Sequence, residues 1–259
     1  MLARLRTLYL ILNLKTLGIV AIAIVSTYVC RELELAADFP MAVVLTAVVF
    51  PIVFSISAAY NRRETALAEY ASMKAHGQAI FLAVRDWLDE NDPATLDDAR
   101  DVLRRLFEGT REMLMAPQDE VESREQRVYR DFSELSLFVR NNLRGKGLAV
   151  GEVSRANQYV SKMLVSFETI KHIYEYRTPV SLRTFSDFFL VILPILYGPY
   201  FAHLGKDYLF GLVYVPPVLF SLVLVTLDNI QEHLENPFDQ VGEDDIRLEV
   251  EPYVNRLIA

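Results

Sequence analysis

Leu227-Asp228-Asn229-Ile230-Gln231-Glu232-His233-Leu234-Glu235-Asn236-Pro237-Phe238 follows directly on an uncharged run, Tyr208 to Leu227. A helix needs about 20 mostly apolar residues to cross a hydrocarbon core, and this run has that length. The charged stretch after it therefore reads as the point where a membrane helix leaves the bilayer. Pro216-Pro217 falls near the middle of the window, where two missing N–H donors are expected to bend the helix.

Three more windows nearly free of charge lie upstream. Phe39 to Tyr60 has no charged residue between its ends and is of spanning length. Leu17 to Cys30 is short alone but extends backward through Tyr9-Leu10-Ile11-Leu12, with Asn13 and Lys15 near its start. Phe188 to Leu204 carries Pro194, Gly198, Pro199 and His203, which predicts an irregular or tilted span. The expected spans are about 17–37, 39–60, 188–204 and 208–227, with cytoplasmic helices over about 61–187 and a tail over 228–259. The chain reads as one domain, 1–259, of the all-α membrane class.

The composition agrees with that distribution. The chain is 52% hydrophobic, and its charges crowd between the second and third windows rather than spreading evenly. A net charge of −8 argues against a nucleic-acid partner, which would require clustered Lys and Arg. The single cysteine, Cys30, excludes an internal disulfide and sits in an apolar run as a packing residue. The basic start, Met1-Leu2-Ala3-Arg4-Leu5-Arg6, lacks a small-x-small cleavage site downstream and reads as the flank of a retained helix.

Positive residues mark the cytoplasmic side. Arg4, Arg6 and Lys15 precede the first span, Arg62 and Arg63 follow the second, and the net acidic connection Arg31 to Asp38 lies between. Both termini and the long middle segment are expected in the cytoplasm, in a multi-pass protein of the plasma or bacterial inner membrane. The middle segment has helical periodicity, as in Leu96, Val102-Leu103 and Leu106-Phe107, with no useful strand alternation. Breaks are expected at Asn91-Asp92-Pro93, at Ala116-Pro117 and at Gly145-Lys146-Gly147 with Gly151, which leaves four helical segments.

Enzyme chemistry finds no support. No glycine-rich phosphate loop is present, and His76, His172, His203 and His233 lack a second ligand at metal spacing. No nucleophilic triad is marked out, and the reading is of a protein that is not an enzyme.

Three separated segments resemble the bestrophins, a family of pentameric ion channels with four membrane helices per subunit and a helical cytoplasmic extension. Ser57-Ala58-Ala59-Tyr60-Asn61-Arg62-Arg63-Glu64 is similar to the family's Ser-x-x-Tyr-x-Arg-Trp-Trp-Glu, with Arg63 and Glu64 departing from the tryptophan pair. Arg177-Thr178-Pro179-Val180-Ser181 resembles its proline-containing entry to the third helix, and Glu235-Asn236-Pro237-Phe238 resembles its Asn-Pro-Phe turn. The resemblance implies a bestrophin-like pentamer of a divergent, prokaryotic type. Tyr60, Arg62, Thr178, Pro179, Asn236, Pro237 and Phe238 are then its structural motif residues.

In the family the second helix lines a hydrophobic neck, which the resemblance carries to Thr46, Phe50 and Phe54. Residues four apart on a helix drift only about 40° around the axis, so the three share a face that Ser57 and Asn61 extend as pore-lining candidates. Val44, Val48, Ile52 and Ile56 point elsewhere. A phenylalanine pair in a membrane helix also reads as packing, and that alternative stands beside the pore. Thr46 replaces the bulky apolar residue usual there, which implies a wider or wetter outer ring.

Asp239, Glu243, Asp244 and Asp245 are hard oxygen donors of the kind calcium prefers, and animal bestrophins clasp calcium after the same turn. Gln240-Val241-Gly242 displaces the acids here, so a solvated acidic turn competes with a calcium site, and no cofactor is required. The resulting expectation is passive conduction of chloride and other small anions by a homo-oligomer in the lipid bilayer. A cation or nonselective channel is the alternative, and a non-conducting scaffold for a cytoplasmic partner is the alternative of another class. A carrier fits less well, since the spans hold few ionisable residues and no inverted repeat is visible.

Overall fold

The computed structural model describes residues 12–38, 40–89, 93–117, 119–177, 179–205, 211–241 and 244–258. All regular secondary structure among them is helical. The α-helices are α1 (Leu14–Glu32), α2 (Met41–Trp87), α3 (Pro93–Leu114), α4 (Val121–Phe138), α5 (Val150–Glu175), α6 (Val180–Leu196), α7 (Gly198–Leu204), α8 (Val215–Glu235) and α9 (Glu251–Val254). A π-helical turn, Val139–Arg144, follows α4, and a 3-10 turn, Leu212–Tyr214, precedes α8. Four stretches among the described residues are long and apolar enough to cross a membrane, and they mark an integral membrane protein.

The chain divides into two compact units. The first draws on residues up to Asn61 and on Arg177–Asn236. Asn13 caps α1, its side-chain oxygen accepting from the Thr16 N–H at 3.1 Å, so an orphan donor of the first turn is satisfied. The core of this unit joins Ile19, Val48, Ile52, Leu190, Leu193, Tyr197, Phe201, Leu224 and Val225. Large apolar side chains on the outside, including Leu17, Val25, Phe188, Leu219 and Val223, remain exposed, as a lipid-facing surface requires. Helices in such a unit approach closely only through small residues. A Cβ at Gly198 would stand 2.2 Å from Ser26 Oγ and 3.0 Å from Cys30 Sγ, so glycine is needed there and Cys30 is a packing residue.

Three span boundaries differ from those read in the sequence. The first helix covers Leu14–Glu32 rather than 17–37, because the Asn13 cap starts it ahead of the apolar window. The third begins eight residues early, at Val180 rather than Phe188, and breaks at Tyr197 before the short α7. Its first turns carry Ser181, Arg183, Thr184 and Asp187, which an apolar window leaves out but a helix tolerates. The fourth helix runs Val215–Glu235 rather than 208–227. Pro216-Pro217 begin it instead of bending its middle, since the first N–H groups of a helix have no intrahelical partner to lose. Asp228 to Glu235, read as tail, are its last two turns.

The second unit contains Arg62–Tyr176, Pro237–Val241 and the chain from Asp245 onward. Its core is a continuous apolar cluster that includes Tyr70, Phe81, Leu103, Phe107, Leu135, Phe167 and Ile170. Pro93 opens α3, Ala116-Pro117 lies between α3 and α4, and Gly145–Gly147 forms the turn before α5. Gly147 adopts φ +90, a conformation that favours glycine. Gly151, expected in the same break, instead lies in the first turn of α5.

Candidate functional site

The residues expected to line a pore lie on α2. At 3.6 residues per turn, Thr46, Phe50, Phe54, Ser57 and Asn61 fall within an arc of about 80°, and all five are exposed in the single chain. Phe50 is 56% exposed and Phe54 67%, and their rings stack with centroids 6.0 Å apart. The opposite face carries Val48, Ile52, Ser55 and Ala59, each at most 2% exposed. Ile56 packs partly buried against the same core, and Val44 lies outside the described side chains. Over this segment the helix buries Val48, Ile52, Ser55 and Ala59 and turns Phe50 and Phe54 outward.

Hydroxyls and a proline shape this segment. Thr46 Oγ1 donates to the Ala42 carbonyl at 2.6 Å, which commits its proton to the backbone. Pro51 sits inside the helix between the two phenylalanines and removes one ladder bond, while Ser55 Oγ donates to its carbonyl at 2.9 Å. Tyr60 is half-exposed and Arg62 partly buried at the end of this stretch. Pro179 is the N-cap residue of α6 and Asn236 the C-cap of α8. Thr178 lies outside the described residues.

The turn after α8 is built by hydrogen bonds and packing. The Ile246 N–H donates to the Pro237 carbonyl at 2.9 Å, and Gln240 Nε2 donates to the Ile246 carbonyl at 2.8 Å. Gln240 takes φ 60, unusual for a residue with a side chain. Phe238 is fully buried beside Tyr174, whose hydroxyl donates to the Ala116 carbonyl at 3.0 Å. Asp239 Oδ1 accepts from the Val241 N–H at 3.0 Å, the geometry of a local turn. Asp244 is exposed, Asp245 is half-buried, and Glu243 lies outside the described residues. Among the described residues no three acidic, histidine or cysteine side chains converge to hold a metal.

Sequence reasoning missed a polar cluster in the first unit. Lys15 Nζ stands 2.6 Å from Asp228 and 3.3 Å from Asp187, joining α1 to α8 and α6. Beside it, Asn13 Nδ2 donates to Asn229 Oδ1 at 3.3 Å, and Asn229 Nδ2 donates to Thr16 Oγ1 at 3.2 Å. Arg183 pairs with Glu235, whose side chain is 2% exposed. The available signal was the rarity of ionisable residues inside apolar helices, where each one calls for a partner.

No family model matches the chain, and no curated protein matches it in sequence. Solved structures do match in fold. A point variant of a bacterial bestrophin homologue from Klebsiella pneumoniae aligns with a TM-score of 0.70 at 17% identity, over 94% of this chain and 96% of that one. A second variant of the same homologue gives 0.69 at 17% identity, over 94% of each chain. A structure described as a membrane protein gives 0.67 at 18%, over 94% of this chain and 93% of that one. The architecture is therefore the bestrophin fold, all-α with four membrane-spanning helices and a helical extension.

Proposed function

We propose that this chain, having the bestrophin fold, assembles as a homopentameric ion channel that passes chloride and other small anions through an axial pore. The observation that carries the reading is the face of α2, where Phe50 and Phe54 stack outward while Val48 and Ile52 are buried behind them. In a ring of copies this face would surround the axis, and the phenylalanines would form an apolar constriction that water and ions leave when it narrows. Thr46, Phe50, Phe54, Ser57 and Asn61 hold no carboxylate that would repel an anion. In this reading both termini and the helical extension are cytoplasmic, and conduction needs no cofactor.

The test is purified protein in a planar bilayer under an asymmetric potassium chloride gradient. A reversal potential near the chloride equilibrium value supports the proposal. A value near that of potassium replaces it with a cation channel, and silence of the folded oligomer replaces it with a scaffold.

A further inference from the structure

The first unit carries an open groove of about 630 Å³ between α1 and the break that separates α6 from α7. Ala21, Val25 and Val29 line one side, and Ile195, Leu196 and Pro199 the other. Between them Ser26 Oγ donates to the Ile195 carbonyl at 3.1 Å, and Cys30 is buried against Gly198. The hydroxyl of the groove is thereby spent within the fold, and what faces outward is hydrocarbon.

The length of the groove matches one leaflet of a bilayer. From Ala21 to Cys30 an α-helix rises about 14 Å, and half the thickness of a hydrocarbon core is about 15 Å. The groove begins near the middle of α1 and ends where Arg31 and Glu32 bring charge, the point at which a spanning helix leaves the hydrocarbon. A trough that runs from the interface to the bilayer middle has the extent of an acyl chain. Water does not compete for it, because an apolar cavity without polar partners stays dry.

A helix from a second copy fits less well. Membrane helices pack on one another through small residues and interhelical hydrogen bonds. Here the rims are branched aliphatic side chains, Val25, Val29, Ile195 and Leu196, all exposed, and the hydroxyl that could bond a neighbour is already committed. We propose that this groove seats one acyl chain of a membrane lipid against α1, α6 and α7. No charged side chain lines it, so the site selects a long chain and is indifferent to the headgroup. It is separate from the residues of α2 assigned to conduction.

The test is native mass spectrometry of the full-length protein, stripped of lipid in detergent, after titration with dioleoylphosphatidylcholine, dioleoylphosphatidylglycerol or dihexanoylphosphatidylcholine. It reads mass rather than current. One dioleoyl lipid per chain is expected to survive the activation that strips the rest, with either headgroup, and the short-chain lipid is expected to be lost. Val25→Trp, which fills the groove, is expected to weaken retention at least tenfold, and Val223→Trp, equally exposed on α8, to leave it unchanged. Val25 is 59% exposed, so its variant is expected to fold, and the comparison of lipids on the unaltered protein depends on neither variant. Equal retention of the short-chain lipid, retention that follows the headgroup, unchanged retention in Val25→Trp, or no retained lipid at all would each overturn the proposal. In the last case, dissociation of the oligomer by Val25→Trp would assign the groove to a neighbouring copy.

Discussion

The two units of this molecule use the same ion pairs to different effect. In the membrane unit the Asp228 side chain is 9% exposed where Lys15 meets it, in a helix otherwise apolar for most of its length. In the extension, Arg105 and Glu134 meet at 3.0 Å with each side chain about half exposed, on the outside of a large apolar core. Water screens the second pair and is largely excluded from Asp228. A charge at the end of a membrane helix therefore depends on its partner, whereas a charge on the extension mainly keeps the surface solvated.

Apolar burial makes the opposite contrast, since the extension relies on it and the membrane unit leaves much of its apolar surface facing outward. Phe238→Ala is expected to have the largest effect, about 3–5 kcal/mol, because a fully buried aromatic is removed from the extension's core. Chemical unfolding monitored through the single tryptophan, Trp87, would measure it, and a loss below about 1 kcal/mol would show that the site collapses around the missing ring. Lys15→Ala comes next. It strands Asp228, and a loss toward the lower end of about 3–5 kcal/mol is expected, since Lys15 itself is 34% exposed. A Lys15→Ala protein melting like the parent in detergent would erase the distinction between the units. Arg105→Ala should cost no more than about 1 kcal/mol in the same assay.

The smallest expected effect depends on pH. Asp131 in the extension is buried, its Oδ2 lacks a hydrogen-bond partner beside Gly109, and desolvation raises its pKa above the ordinary carboxylate value. A carboxyl with a raised folded-state pKa costs nothing while both states are protonated, and its penalty grows as pH rises from the unfolded value through the folded one. Asp131→Asn should therefore raise the melting temperature at pH 7 and leave it nearly unchanged at pH 4. An equal shift at both values would assign the effect to packing instead of charge.

The two units were also legible to different degrees. Hydropathy located four spans because lipid demands long uncharged helices, and Pro93, Ala116-Pro117 and Gly147 marked the breaks of the extension through backbone chemistry that acts locally. It misplaced the ends of α6 and α8, where polar residues such as Asp187 and Asp228 continue a helix that an apolar window ends. The α2 face came from the family resemblance with fourfold spacing in agreement, yet spacing cannot tell an axial constriction from a contact with lipid. The Lys15–Asp228 pair was unreadable because its members stand 213 residues apart and meet only after the helices pack.

The central claim is that the outward phenylalanine face of α2 constricts the conducting path. Single-channel recording of Phe50→Ala and Phe54→Ala tests it most directly, with Val223→Ala, equally exposed on α8, as the control. The account predicts larger conductance or a standing leak in both phenylalanine variants and parental currents in the control. Parental currents in both phenylalanine variants, with the oligomer intact, would contradict it.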